Sequence, residues 1–410
     1  MARNNDQIDY ILALAIIVLC IFGVIMITSI GVPKSIELTK PLDVLYPTCG
    51  QDGVDCYYLL KNHAIRLLIG LGGFMLATKI PYRFWKAIAI PLFGVMFFAM
   101  MAVLFMGQAF STTARSWLLI ANNSIQPAEL AKLALIFYLA VWFERKGNEI
   151  KDFQKGFLSF SLLAGLIIMP VALQPDLGST MVFTSIAVGM YYLAGARVKH
   201  IAVGAMAALL IVLMLLPFNS YIKYRFKAFV GGKCEVTEGA TTRDFCWQSE
   251  QSNIAVASGG FFGRGLTQGV QKSYWLPQAT DDFIFAASSE ELGFLRITLV
   301  IIAFAVIAYR GFAIARSAPD RFSMYTAAGI TTWIVGQAYI NVGVNIGLMP
   351  VTGITLPFIS YGGTSLLSSL VGAGILLNIS KYTDIDYASN LNRRGDSGSR
   401  DSKHRAYRRA

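Results

Sequence analysis

Four carboxylates crowd the stretch from Lys272 to Gly293, which reads Lys-Ser-Tyr-Trp-Leu-Pro-Gln-Ala-Thr-Asp-Asp-Phe-Ile-Phe-Ala-Ala-Ser-Ser-Glu-Glu-Leu-Gly. Asp281, Asp282, Glu290 and Glu291 stand there among apolar residues, in a chain that is 55% hydrophobic and only 14% charged. A carboxylate near membrane depth is expensive to keep, so its presence points to function. Its chemistry would be that of a general base, taking the proton from a hydroxyl as that hydroxyl attacks. The structural alternative is that Asp281 or Asp282 caps a helix beginning near Phe283, while Glu290 and Glu291 are polar residues at the edge of the next apolar span.

Other polar residues also interrupt apolar surroundings. Arg115 and Trp117 precede Gln126-Pro127-Ala128-Glu129-Leu130-Ala131-Lys132 at the mouth of an apolar helix. Lys132 falls one turn inside that helix, where a cation needs a partner or a water-filled cavity, and Glu129 lies on the same face three residues earlier. Gln174-Pro175-Asp176-Leu177-Gly178-Ser179 is a tight turn in which Asp176 is either a helix cap or a site residue. Tyr224-Arg225 and Gln248 with Gln251-Ser252 come before the run Gly259-Gly260-Phe261-Phe262-Gly263-Arg264-Gly265, whose amides could approach a phosphate or simply make turns. Met349 to Pro357 is apolar yet too broken for a helix, and such a segment is tolerated at membrane depth only against protein or a cavity.

The elements that position these residues are membrane spans. A mean hydropathy of +0.54 over 410 residues, with 27 Phe and 37 Gly, excludes an ordinary soluble chain. Spans are expected at Tyr10–Ile30, Ala64–Thr78, Ala87–Met106, Ala128–Phe143, Gly156–Leu173, Ser179–Gly195, His200–Leu216, Leu292–Tyr309, Phe322–Asn341 and Leu366–Ser380. The fold class is therefore all-α, a polytopic integral membrane protein of about ten helices. Its membrane domain runs over 1–381, with a large extracytoplasmic loop at 217–290 between helices seven and eight, and a basic, disordered cytoplasmic tail follows at 382–410. Gly31 to Asn62, with Pro33, Pro41 and Pro47, reads as an exposed loop.

Lys and Arg gather in the even-numbered connections and the tail, which places both termini in the cytoplasm and the long loop outside. The net charge of +11 follows from this bias, and no nucleotide or zinc motif supports a nucleic-acid partner. Cys49 and Cys56 share one polar loop, Cys234 and Cys246 another; each pair could close as a disulfide in an oxidising compartment.

Together these motifs resemble the SEDS family (shape, elongation, division and sporulation), the FtsW/RodA type. The matching pieces are Ala114-Arg115-Ser116-Trp117, Gln126 to Lys132, Gln174 to Gly178, Leu276-Pro277 with Asp282 to Ala286 and Glu290 to Gly293, and Leu356-Pro357-Phe358-Ile359-Ser360-Tyr361-Gly362-Gly363. The resemblance implies a peptidoglycan glycosyltransferase in the bacterial cytoplasmic membrane, active in division or elongation. It would polymerise lipid II, an undecaprenyl-pyrophosphate-linked disaccharide peptide, at the outer face.

The resemblance makes Asp282 the catalytic base of an inverting transfer. Arg115, Gln126, Glu129, Lys132, Asp176, Gln251 and Lys272 are the substrate-binding candidates. The implied partners are a class B penicillin-binding protein and other divisome or elongasome membrane proteins. No cofactor is demanded, although a divalent cation (Mg or Mn) could assist the leaving group. In the usual pattern His-Thr precedes the aspartate; here Thr280-Asp281 does, with the spacing from Pro277 to Phe283 unchanged. Pro350 to Gly353 looks more like RodA and Gly353 to Pro357 more like FtsW, with a weak lean to the latter. A lipid-precursor flippase or transporter, and a non-catalytic division scaffold, are the competing functions.

Overall fold

The structure, a computed structural model, describes residues 8–41, 47–51, 53–107, 116–120, 123–215, 225, 228–229 and 240–383. The first apolar run forms α1, Tyr10–Ile30, as expected; Asp9 caps it by accepting from the Leu12 amide at 3.0 Å. The stretch after it is not loop throughout. It holds α2, Val32–Thr39, and the first turn of α3, Tyr58–Lys79. Pro33 stands in the first turn of α2, where a missing N–H costs nothing, so this proline starts a helix and does not mark a loop.

Next come α4, Tyr82–Met106, and a two-stranded antiparallel ribbon in which β1, Leu118–Ile120, pairs with β2, Asn123–Ile125. They are followed by α5, Pro127–Lys146; α6, Ser159–Leu173, entered through a π-helical turn at Phe153–Leu158; α7, Leu177–Leu193; and α8, Val198–Leu215. The interval 217–290 is likewise not all loop: it contains α9, Ala240–Gly259, and the opening turns of α10, Ile284–Arg316. The chain then forms α11, Arg321–Asn345, and α12, Gly363–Ser380. The basic tail lies outside the described residues from 384 onward.

Ten helices, α1, α3 to α8 and α10 to α12, answer to the ten expected spans. Among the described residues six are long and apolar enough to cross a membrane unaided. α5 and α11 are not among those six, because they carry Glu129, Lys132, Gln337 and Asn341 inward, and all four are buried. The packing explains this: α11 lies against α5, α7, α10 and α12, so its polar groups meet protein and not lipid. Peripheral helices do the reverse, with Phe98 and Phe105 of α4 exposed by 72% and 83% on an outward apolar face. The protein is thus an all-α, multi-pass membrane protein.

α10 is broken at Gly293, whose φ of 76° lies in the left-handed region that glycine tolerates. The break frees backbone groups, and the glycine-rich loop satisfies them. Amides of Arg264 and Gly265 donate to the carbonyls of Glu290 and Glu291 (3.0 and 2.9 Å), and the amide of Phe294 donates to Gly260 (2.9 Å). A Cβ on Gly293 would sit 2.1 Å from the Gly263 nitrogen, so these two glycines require each other. The run 259–265 therefore spends amides on α10.

Candidate active site

Asp282 ends the turn that leads into α10. The capping alternative is not what the structure adopts: Phe283 is the N-cap, and no side chain caps this helix. Instead the Asp282 main chain is gripped by α11. The Asn341 and Asn345 side-chain amides donate to its carbonyl at 2.8 and 3.0 Å, and Asn345 Oδ1 accepts from the Ala286 amide at 2.9 Å. The carboxylate itself accepts no hydrogen bond from any described residue and is only partly buried. Its Oδ2 would lie 3.6 Å from a Cβ placed on Gly353, a residue whose φ of 77° reserves the position for glycine.

Gly353 belongs to the interrupted segment between α11 and α12, and α11 carries a column of amides that holds this segment. Gln337 donates to the Thr355 carbonyl (3.0 Å) and Asn341 to that of Ile354 (2.7 Å). Trp333, Gln337, Asn341 and Asn345 recur every fourth residue, so they share one helix face. On the other side, Ser360 Oγ donates to the Asp281 carbonyl at 2.6 Å and the Tyr361 amide to that of Thr280 at 3.0 Å. The Asp281–Asp282 turn is thus fixed through its backbone from two directions.

The electrostatics follow from this setting. Burial, opposed by the positive charge of Arg225 and reinforced by the negative charge of Asp176, pushes Asp282 up to about 6. Burial and the charge of Asp282 push Asp281 up to about 7, against the pull of Thr280, Lys34 and Arg66. Arg225 is buried and donates to the Val351 carbonyl at 2.8 Å, and the Arg66 guanidinium lies 4.5 Å from the centre of the Tyr361 ring.

The other expected site residues fall into three groups. Asp176 caps α7 through the Ser179 amide (2.9 Å) and accepts from Gln126 Nε2 (3.3 Å) and Ser116 Oγ (3.4 Å), which joins the starts of α5 and α7 near the same end of the bundle. Lys132 is fully buried and donates to Glu129 (2.7 Å) and Gln337 (2.8 Å), so the expected Glu-Lys pair exists and is tied to the amide column. Lys272 goes elsewhere. It donates to Glu291 at 2.6 Å and to Ser29 Oγ at 3.1 Å, on the wall of an open cavity of about 560 Å³ between α1, α2 and residues 266–273. Gln251 is buried on α9, and Arg115 lies outside the described residues.

Glu290 and Glu291 are fully buried: Glu290 accepts from the Val270 and Gln271 amides at 3.0 Å each, and Glu291 from Ser29, Thr267 and Lys272. Cys49 and Cys56 are joined in a disulfide, with Cα atoms 5.6 Å apart; Cys246 is also disulfide-bonded, and Cys234 lies outside the described residues. Among the described residues no group of three or more His, Cys, Asp or Glu side chains is gathered as a metal cluster. Both Asp176 oxygens accept hydrogen bonds within the protein, from Ser179 and Gln126.

Reading the sequence for charged residues missed Asn341, Asn345 and Gln337. The signal was present as amides at four-residue spacing inside an apolar span.

These features define a multi-pass membrane protein with a solvent-touching carboxylate held at one end of its helical bundle. A family model described as a cell cycle protein, covering FtsW, RodA and SpoVE, matches residues 10–385, and the chain belongs to this family. It is 33% identical over 379 residues to a probable peptidoglycan glycosyltransferase FtsW of Geobacter sp. (strain M18), covering 92% of this chain and 98% of that relative. It is 38% identical over 339 residues to the stage V sporulation protein E of Bacillus subtilis (strain 168), covering 80% and 88%. Two solved structures share the fold. One, from a study of polymerization and crosslinking by a peptidoglycan synthase complex, has a TM-score of 0.72 at 24% identity, covering 92% of this chain and 99% of that one. The other, the Thermus thermophilus rod shape determining protein RodA, scores 0.65 at 23% identity, covering 92% and 98%.

Proposed function

We propose that this protein is a peptidoglycan glycosyltransferase that polymerises lipid II, with Asp282 as the general base. Family membership and the names of its relatives support the reaction class. The observation that carries the residue assignment is the open Asp282 carboxylate, fixed through its own backbone carbonyl while its oxygens are left for a substrate. The acceptor sugar hydroxyl donates to Asp282, loses its proton to the carboxylate, and attacks the anomeric carbon of the donor. The bond from that carbon to the lipid pyrophosphate breaks, its electron pair leaves on the phosphate, and a single displacement turns an α linkage into a β linkage. Arg225 and the adjoining helix starts of α5 and α7 favour the negative charge that builds on the leaving group.

The site faces the outer side of the cytoplasmic membrane, with both termini inside; the bias of Lys and Arg toward the opposite connections supports this orientation. A class B penicillin-binding protein is the proposed partner, supported by the likeness to a structure from a peptidoglycan synthase complex. The test is polymerisation of purified lipid II in detergent by wild type and by Asp282→Asn. The variant is expected to fold with no loss of melting temperature and make no glycan. A folded Asp282→Asn protein that still produces polymer overturns the base assignment, and wild type that moves lipid across vesicles without polymerising it overturns the enzyme reading.

A further inference from the structure

The column of amides on α11 does more than fill a polar gap. Asn341 has one side-chain nitrogen and two N–H groups, and each N–H meets a carbonyl from a different part of the chain. One goes to Asp282 at the head of α10 (2.8 Å), the other to Ile354 in the interrupted segment (2.7 Å). Ile354 adjoins Gly353, the residue that faces the Asp282 carboxylate. A single primary amide therefore bridges the two backbones that border the open side of the proposed base. Asn345, one turn along, repeats half of the arrangement: it donates to the same Asp282 carbonyl (3.0 Å) and accepts from Ala286 (2.9 Å), but does not reach the interrupted segment.

We infer that Asn341 is a positioning residue for the transfer reaction, setting the distance between the Asp282 carboxylate and the Gly353 segment and so the space in which the acceptor hydroxyl meets its base. The inference rests on the reading of Asp282 as base. The two halves need a link because residues 282 and 354 belong to separate segments, one entering α10 and one leaving α11. Asn341 is 1% exposed, so its N–H groups cannot turn to water if a carbonyl moves away, and departure of either backbone leaves a buried donor unsatisfied. A substrate contact is not part of the role; Asn341 acts through Asp282.

The test is steady-state polymerisation by Asn341→Ala at varied lipid II, per folded molecule, alongside Asp282→Asn. Loss of alignment is expected to lower kcat by about tenfold to a hundredfold, as misplacement of a catalytic group by about 1 Å does. KM should stay within about twofold, since the bridge spans protein and not substrate. The acidic limb of the rate profile should also move, because Asp282 shifts relative to the charges of Arg225 and Asp176 that act on it. A control on the same helix, Thr332→Ala, removes a bond to the Ala328 carbonyl within α11 and a methyl packed beside Gly189 of α7, touches neither Asp282 nor Ile354, and should leave kcat and the limb unchanged.

A folded Asn341→Ala enzyme with wild-type kcat, or one whose entire loss lies in KM or in folded fraction, overturns the role. Should that variant not fold, Asn341→Ser, which has one donor and cannot serve both carbonyls, is judged by the same criteria. Asn345→Ala should lose less kcat than Asn341→Ala, because the bridge to Ile354 survives; the reverse order also overturns it. If Asp282→Asn keeps its activity the underlying base reading fails, whereas a silent Asp282→Asn beside a fully active Asn341→Ala defeats the positioning role alone.

Discussion

Glu290–Glu291 and Asp281–Asp282 are both adjacent acid pairs at the head of α10, and the structure treats them in opposite ways. The glutamates are sealed: their oxygens take the Val270, Gln271 and Thr267 amides, the Ser29 hydroxyl and the Lys272 ammonium, so the 264–272 loop is fastened to the helix. The aspartates are held by their carbonyls, through Ser360, Asn341 and Asn345, and the Asp282 carboxylate is left open. Partners on the side chain make an acid structural. Partners on the main chain, with the side chain unclaimed, make it available for chemistry.

The sharpest way to break this contrast is to neutralise one member of each pair. Asp282→Asn should reduce polymerisation of lipid II by at least about a hundredfold, the lower range for a general base, with melting temperature at neutral pH kept or raised, since a charge that burial disfavours is removed. Glu291→Ala should do the opposite, leaving Lys272 buried without its partner and lowering stability by about 3–5 kcal/mol, while activity per folded molecule is retained. Thermal melting and turnover on the same preparations decide between them, and an inactive but stable Glu291→Ala would erase the distinction.

Backbone and pH changes sharpen the comparison further. Gly353→Ala places a side chain at positive φ beside the Asp282 oxygen and should lower stability by about 1–2 kcal/mol while reducing turnover, read by melting and initial rates. If Asp282 is the base, as proposed, it must be ionised, and the rate should fall as pH drops through about 6, the value to which burial lifts it. Both aspartates hold protons more tightly folded than unfolded. Their contribution to stability is therefore full below about 4, the ordinary carboxylate value, and is lost as pH rises through 6 and 7. The smallest effect is that of Asp281→Asn: burial and the charge of Asp282 hold Asp281 up to about 7, so it is already largely protonated where Asp282 titrates, and the acidic limb of the rate should move by less than about one unit.

Much of the frame was legible in the sequence because lipid imposes one rule, a long uncharged run, and Tyr10–Ile30 obeys it along its whole length. The rule fails where helices face protein. α11 runs on to Asn345, beyond the expected end at Asn341, because its last amides are satisfied by Asp282, Ala286 and Ile354, partners that no local pattern reveals. α10 starts at Ile284, before its apolar run, for a related reason: Glu290 and Glu291 look like a helix boundary until the loop amides that receive them are known. Asp282 could be singled out from residue type and neighbours, whereas the open state of its carboxylate depends on contacts across some sixty to eighty residues of sequence.

The bridge from Asn341 to Ile354 also orders events in time. A ribosome making this chain releases Asp282 well before it releases residues 341–363, so the aspartate waits in the membrane without the segment that borders it. Until α11 and the segment after it are in place, the surroundings of the proposed base are not assembled. Truncated products that end before Asn341 would occupy the membrane without the bridge or the segment it holds.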